Sequence, residues 1–197
     1  KPSVHVAYGE RLAVLAGDAL IVLAFETLAD AAASAPERLP GLLRTLGGSV
    51  GLPSGICAGQ AWECEAGGVP LDKYEQLKTG SLFAAATVIG AEAAGRDGAP
   101  WRTLGAKLGE AYQVADDIRD VYADADDLGK PTGRDEALDR PSAVRELGLD
   151  GAKARLNGLV EDAVTSIPAC PGREQLIQLI RTETKRFLPK SLAQAAA

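Results

Sequence analysis

WRTLGAKLGEAYQVADDIRDVYAD, residues 101–124, decides how the rest of this sequence is read. Leu104, Leu108, Ala111, Tyr112, Ala115, Ile118 and Tyr122 recur at three- and four-residue spacing and fall on one side of a helix. On the other side Gln113, Asp116, Asp117, Asp120 and Asp124 share an arc of about 100° at helical pitch. Pro100 suits the first turn of such a helix. Ala106 and Gly109 lie on the acidic arc as well, and small residues there are expected to leave space for a ligand along the helix.

Outward from this helix the pattern stays helical. Ala, Leu, Glu, Lys and Arg dominate, β-branched alternation is scarce, and no strand is expected. A helix over about residues 9–33 is apolar on almost every side through LAVLAGDALIVLAFETLA, which predicts a place at the centre of a bundle, with Asp18 as its anomaly. A short helix over about 36–46 leads through GGSVGLPSG into a helix carrying GICAGQAWECE, and AGGVP breaks the chain. Asp72 with Glu75 three residues on predicts a capping-box start for the helix KYEQLKTGSLFAAATVIGAEAA. Two further helices are expected over 152–167 and 173–188, with an Ala-rich tail. The fold class is all-α, in one domain over residues 1–197.

Composition narrows the function. The length suits one compact domain with a substantial core. Cys57, Cys64 and Cys170 form neither a C-x-x-C pair nor an even disulfide framework, which predicts reduced thiols in a cytoplasmic protein. The apolar run from Leu12 to Phe25 is interrupted by Gly17 and Asp18 and falls short of about 20 residues, so no transmembrane segment is expected. Residues 116–139 hold eight Asp and one Glu against Arg119, Lys130 and Arg134, an excess equal to the net charge of the whole chain, −6. The acidity is one local site, and no nucleic-acid partner is expected.

Carboxylates at i and i+4, such as Asp116 with Asp120 and Asp120 with Asp124, repel by a few tenths of a kcal/mol per pair. A divalent cation would offset this, and carboxylates completed by water and phosphate oxygens are the Mg²⁺ preference. Two other readings remain open. The acids could form a solvated helix end. Asp124, Asp126, Gly129 and Asp135 also fall on an EF-hand spacing, although Leu128, Pro131 and the lack of a terminal Glu fit a calcium loop poorly. Lys130 and Arg134 in LGKPTGRD, and Lys78 beside Thr79 in KTG, put cations and a hydroxyl in the same company. Acids for a metal and cations for an anion suggest a phosphorylated ligand. Surface lysines and plain turn glycines would account for the same residues structurally. His5, the sole histidine, has no recognisable partner.

Four ordered segments resemble a known family, the trans-isoprenyl diphosphate synthases. YQVADDIRD at 112–120 is similar to the second aspartate-rich motif, F/Y-Q-x-x-D-D-x-x-D, with Tyr112 where Phe is usual. KTGSLF at 78–83 resembles the Lys-Thr-Gly segment, GQAWECE at 59–65 the Gly-Gln-x-x-Asp segment with Glu63 for Asp, and LGKPTGRD at 128–135 the Gly-Lys loop. KPSVHVAYGE at 1–10 is similar to the stretch that follows the first aspartate-rich motif, so the domain is expected to lack its N-terminal part, in a truncated enzyme or a short non-catalytic paralogue.

The resemblance implies an isoprenoid synthase-type helical bundle around a central cavity, and a homodimer. It implies a Mg²⁺-dependent prenyltransferase that joins isopentenyl diphosphate to an allylic diphosphate. Asp116, Asp117 and Asp120 would bind Mg²⁺; Lys78, Lys130 and more weakly Arg140 would contact the diphosphate. Thr79 and Gln113 would aim dipoles at the carbocation, and Gln60 would line the cavity. The wording of GQAWECE and KTGSLFAAAT looks most like bacterial geranylgeranyl diphosphate synthases of carotenoid or bacteriochlorophyll pathways. A farnesyl or longer-chain synthase, a regulatory subunit and a terpene cyclase are the alternatives.

Overall fold

The computed structural model describes residues 2–62, 73, 74, 76–122 and 142–188. Among these there are eight α-helices and no strand. The helix read first from sequence, α6 (Arg102–Tyr122), organises the others; a 3-10 turn, Ala99–Trp101, leads into it through Pro100.

One side of α6 is built for close approach. A Cβ on Gly105 would lie 2.3 Å from the Phe83 carbonyl oxygen, and one on Gly109 2.6 Å from the Gly80 Cα. Both neighbours belong to the segment formed by a π-helical turn, Gln76–Gly80, and α5 (Ser81–Ala93). Gly105 meets Ala84 and Gly109 meets Gly80, so α5 and α6 run antiparallel. The space expected beside Gly109 for a ligand is therefore filled by Gly80 and Phe83, whereas Ala106, the other small residue of that expectation, lines a cavity. The wheel showed a small residue and could not show which neighbour needed it.

The other side of α6 carries the core. Ala111, Val114, Ala115 and Ile118 are fully buried and cluster with Ala143, Ala152, Leu156, Leu159 and Val160 of α7 (Ala143–Thr165). Burying a side chain the size of Ile118 stabilises by about 1.5–3 kcal/mol. Farther along, Leu104 clusters with Ala163, Val164 and Ile167 and with Ile177 and Ile180 of α8 (Arg173–Thr184). The start of α7 thus lies beside the end of α6, and that pair is antiparallel too. The helix expected from residue 152 begins at Ala143 and is interrupted at Gly148, whose φ of 69° a glycine tolerates.

The earlier helices extend the same up-and-down order. In α3 (Leu39–Val50), the Ser49 carbonyl accepts from Ser81 Oγ at 3.2 Å, and Thr45 Oγ1 donates to Glu92 at 3.3 Å. Arg38 reaches the Ala93 carbonyl at 2.7 Å, capping the end of α5. A short α4 (Ile56–Ala61) follows. The capping box expected at Asp72 and Glu75 lies outside the described residues.

α1 (Val4–Tyr8) and α2 (Glu10–Ala31) differ most from expectation. They meet at Gly9, φ 86°. No residue of α2 is buried, and Leu15 and Leu20 are 62% and 65% exposed. The helix predicted for the bundle centre stands at its edge, with half-buried Ala13, Ala16, Ala24, Phe25 and Leu28. An all-round apolar pattern reports that a helix favours cover, and the described residues cover it only along that one half-buried stripe. The segment Glu10–Ser34, mean hydropathy 2.0, is by length and composition long and apolar enough to cross a membrane, where the sequence reading had counted only the shorter run. Asp18 and Glu26 interrupt it, and a carboxylate at a bilayer centre costs about 2.5–3.5 kcal/mol.

Candidate active site

The antiparallel contact of α5 with α6 places the Lys-Thr-Gly segment beside the middle of the acidic helix. Lys78, Thr79 and Gly80 occupy the π-helical turn, a wider turn that occurs often at functional sites. α4 presses on its outer side: a Cβ on Gly59 would lie 2.5 Å from the Lys78 nitrogen. Only glycine permits that approach, and it brings the neighbouring Gln60, which is exposed, close to the same turn.

Each polar group is held by a specific partner. Lys78 Nζ donates to the hydroxyl of the buried Tyr74 and lies 4.8 Å from the centre of its ring. Thr79 Oγ1 donates to Gln113 Oε1 at 3.0 Å. Gln113 Nε2 donates to Asp117 Oδ1 at 3.0 Å, and Asp117 Oδ2 accepts from the backbone N–H of Ala143 at 2.7 Å. These bonds form one line from the π turn across α6 to the first turn of α7. Ser142, the residue before that helix, makes no capping bond with its own side chain. Asp117 does the capping from another helix.

The three acids of the motif have different surroundings. Asp117 is 2% exposed and Asp120 6%. Asp116 is half-buried and pairs with Arg119 at 3.1 Å. Arg119 lies 5.1 Å over the Tyr112 ring, which packs against Phe83 and edge-on against Phe187 at 5.5 Å each. This stack fixes the guanidinium, and so the carboxylate it holds. Arg119 Nε is buried with no partner among the described residues.

Among the described residues no group of three His, Cys, Asp or Glu side chains could hold a metal ion. A closed protein cage is thus missing there. Asp116 and Asp120, one turn apart, are a donor set of the Mg²⁺ kind, which needs one or two carboxylates and takes its remaining oxygens from phosphate and water.

The structure brings together Lys78, Thr79, Gln113 and Asp117 and sets Gln60 at their edge. Lys130 and Arg140 lie outside the described residues, as do Glu63, Asp124 and Arg134. Sequence reasoning missed Tyr74 and Arg119 as supports. The signal was local, since Tyr74 precedes Lys78 by one turn and Arg119 follows Asp116 by three residues. A cavity of about 520 Å³ lies between α3, α5 and the start of α6, lined by Arg44, Thr45, Ser49, Ser81, Glu92 and Arg102 among others. None of the expected site residues lines it. His5 contacts Ser3 at 3.3 Å and takes no part in the site.

Comparison with known proteins gives the family. Residues 1–172 match the model of the family described as polyprenyl synthetase. A geranylgeranyl diphosphate synthase of Cereibacter sphaeroides is 51% identical over 98% of this chain and 67% of its own length. One of Rhodobacter capsulatus is 49% identical over 95% and 65%, and the farnesyl diphosphate synthase of Escherichia coli is 39% identical over 84% and 59%. Among solved structures, a Helicobacter pylori geranyltransferase complexed with magnesium and isoprenyl diphosphate superposes with a TM-score of 0.78. It shares 30% identity over 93% of this chain and 63% of its own. The chain therefore spans about two thirds of the length of the two geranylgeranyl diphosphate synthases and 59% of the farnesyl diphosphate synthase. An all-helical fold, an acid-bearing helix locked to a Lys-Thr-Gly turn, and a family match over most of its length place the chain in the polyprenyl synthetase family.

Proposed function

We propose that the full-length protein is a Mg²⁺-dependent prenyltransferase that condenses an allylic diphosphate with isopentenyl diphosphate and makes geranylgeranyl diphosphate. The observation that carries this reading is the bond from Thr79 to Gln113, which ties the Lys-Thr-Gly turn to the acidic helix α6. Allylic ionisation needs the leaving diphosphate neutralised and the carbocation steadied.

Lys78, held in place by Tyr74, supplies positive charge toward the diphosphate. Thr79 has given its only hydroxyl hydrogen to Gln113, so its oxygen offers lone pairs to a cation nearby. Gln113 Oε1 adds a second acceptor of the same sign. Asp116 and Asp120 would hold Mg²⁺. When bound, the metal neutralises phosphate charge as a Lewis acid. Gln60 lines the approach to the turn, and Lys130 and Arg140 extend the contacts to the diphosphate. The released diphosphate can take up the proton lost after condensation, so no Ser, Cys or His nucleophile is needed.

The geranylgeranyl product is supported by relatives at 51% and 49% identity named for it, against 39% for a farnesyl synthase. A product of this length fits a carotenoid or bacteriochlorophyll pathway. The exposed apolar α2 supports a homodimer, because contiguous apolar surface of that extent marks an interaction face. Free Cys57 and Cys170 fit a cytoplasmic protein.

The test is incubation of the full-length protein with farnesyl diphosphate, isopentenyl diphosphate and Mg²⁺, followed by chromatography of the released alcohols. Geranylgeraniol is expected. A farnesol-only or longer product pattern, a cyclic hydrocarbon made without isopentenyl diphosphate, or turnover only beside an active synthase would each replace this reading with its rival.

A further inference from the structure

We infer that Asp117 is a positioning residue that sets the direction of the Thr79–Gln113 hydrogen bond, and does not serve as the metal ligand that the sequence led us to expect. The inference rests on the prenyl-transfer reading for its catalytic consequence only.

Asp117 is 2% exposed, and each of its carboxylate oxygens accepts a bond. Oδ2 holds the Ala143 N–H at 2.7 Å, one of the orphan donors that every helix start exposes. Oδ1 holds Gln113 Nε2 at 3.0 Å. A carboxylate can only accept, so the amide of Gln113 must turn its NH₂ toward Asp117 and its oxygen toward Thr79. That oxygen in turn can only accept, so the Thr79 hydroxyl must donate to it. Polarity is thus passed along the line from a fixed negative end, and the Thr79 oxygen is left presenting lone pairs. Each oxygen keeps a further lone pair, but the carboxylate is fixed between Gln113 and Ala143, and rotating it toward a cation held by Asp116 would lengthen both bonds and loosen this constraint.

Asp117→Asn makes the argument sharp, because it keeps shape and reverses one group. The new amide oxygen can still cap Ala143, but its NH₂ then faces Gln113. Gln113 must rotate to accept, its own NH₂ turns to Thr79, and the Thr79 hydrogen is expelled toward the reaction centre. Adding Gln113→Glu repairs the direction. A carboxylate at position 113 accepts both from the amide introduced at position 117 and from Thr79, and the total charge matches that of the starting protein.

The experiment compares the full-length protein with D117N, Q113E/D117N and D116N. Turnover of D117N is expected to fall by about a hundredfold to a thousandfold in kcat, the size of losing one aligned dipole. Its Mg²⁺ affinity in the presence of inorganic pyrophosphate, measured by calorimetry, is expected to stay within about twofold of the starting protein, and Q113E/D117N is expected to recover most of the loss. D116N should weaken Mg²⁺ binding. The inference is overturned if D117N weakens Mg²⁺ binding as much as D116N does, or if the double variant folds and recovers nothing.

A readout on the unsubstituted protein covers the case in which D117N fails to fold. The Gln113 side-chain amide hydrogens should remain protected from exchange when Mg²⁺ and pyrophosphate are added. Loss of that protection on metal binding overturns the inference. Failure of the unsubstituted protein to make any prenyl product would count against the proposed function, while the metal and exchange measurements would still decide the role of Asp117.

Discussion

Gly109 faces Gly80 across the α5–α6 contact, so near that a Cβ on Gly109 would lie 2.6 Å from the Gly80 Cα and 3.1 Å from the Phe83 Cβ. Both obstacles are fixed parts of a packed helix. Gly109→Ala must therefore push α5 away from α6, and overpacking of this kind costs about 1–3 kcal/mol. The Thr79–Gln113 bond spans the same gap one turn farther on. Stability by denaturant titration is expected to fall within that range, and turnover to fall further than the lost stability explains. A variant as stable and active as the original would mean that the two helices have slack.

Asp116 lies on the partly exposed side of α6 and pairs with Arg119. Removing the pair costs about 1 kcal/mol or less in stability, since such ion pairs are weak. If the carboxylate holds Mg²⁺ against a departing diphosphate, Asp116→Ala lowers turnover by roughly a hundredfold or more. Thermal unfolding and steady-state kinetics on the same preparation separate the two effects. Unchanged Mg²⁺-dependent turnover would remove Asp116 from the metal site.

Ile118 is fully buried between α6 and α7. Ile118→Ala leaves a cavity beneath the acidic motif and is expected to cost about 2–5 kcal/mol in denaturant titration. Ile118→Val should cost about 0.5–1.5 kcal/mol. If both fall near zero, α7 does not pack on α6 as described.

The order of these magnitudes shows what the sequence could and could not reveal. Period and polarity around α6 placed the start of the helix to within one residue and named Leu104, Ala111, Ala115 and Ile118 of its buried stripe, while Tyr122 at the end of that stripe is exposed. The helical wheel also grouped Gln113 with Asp117. It could not separate Asp117 from Asp116 and Asp120, since the difference is made by Ala143, 26 residues away. Gly109 was misread for the same reason: a small residue is a statement about a neighbour, and the neighbour was Gly80. Arg119 and Tyr74 were one turn from the residues they support, yet their role depends on an aromatic stack and a buried hydroxyl that spacing does not specify.

The last prediction concerns α2, whose Leu15 and Val22 are 62% and 57% exposed and lie on one stripe, seven residues apart. A charge placed on solvent-facing surface changes stability by no more than about 0.5 kcal/mol. A charge buried unpaired in an interface costs several times that. Leu15→Asp with Val22→Asp in the full-length protein should therefore separate the cases by mass and by stability together. If a second copy covers this helix, sedimentation velocity shows loss of the dimer, and thermal unfolding becomes less cooperative and occurs at lower temperature. If α2 faces only water, both measurements stay where they were, and the homodimer must form through another face or not at all.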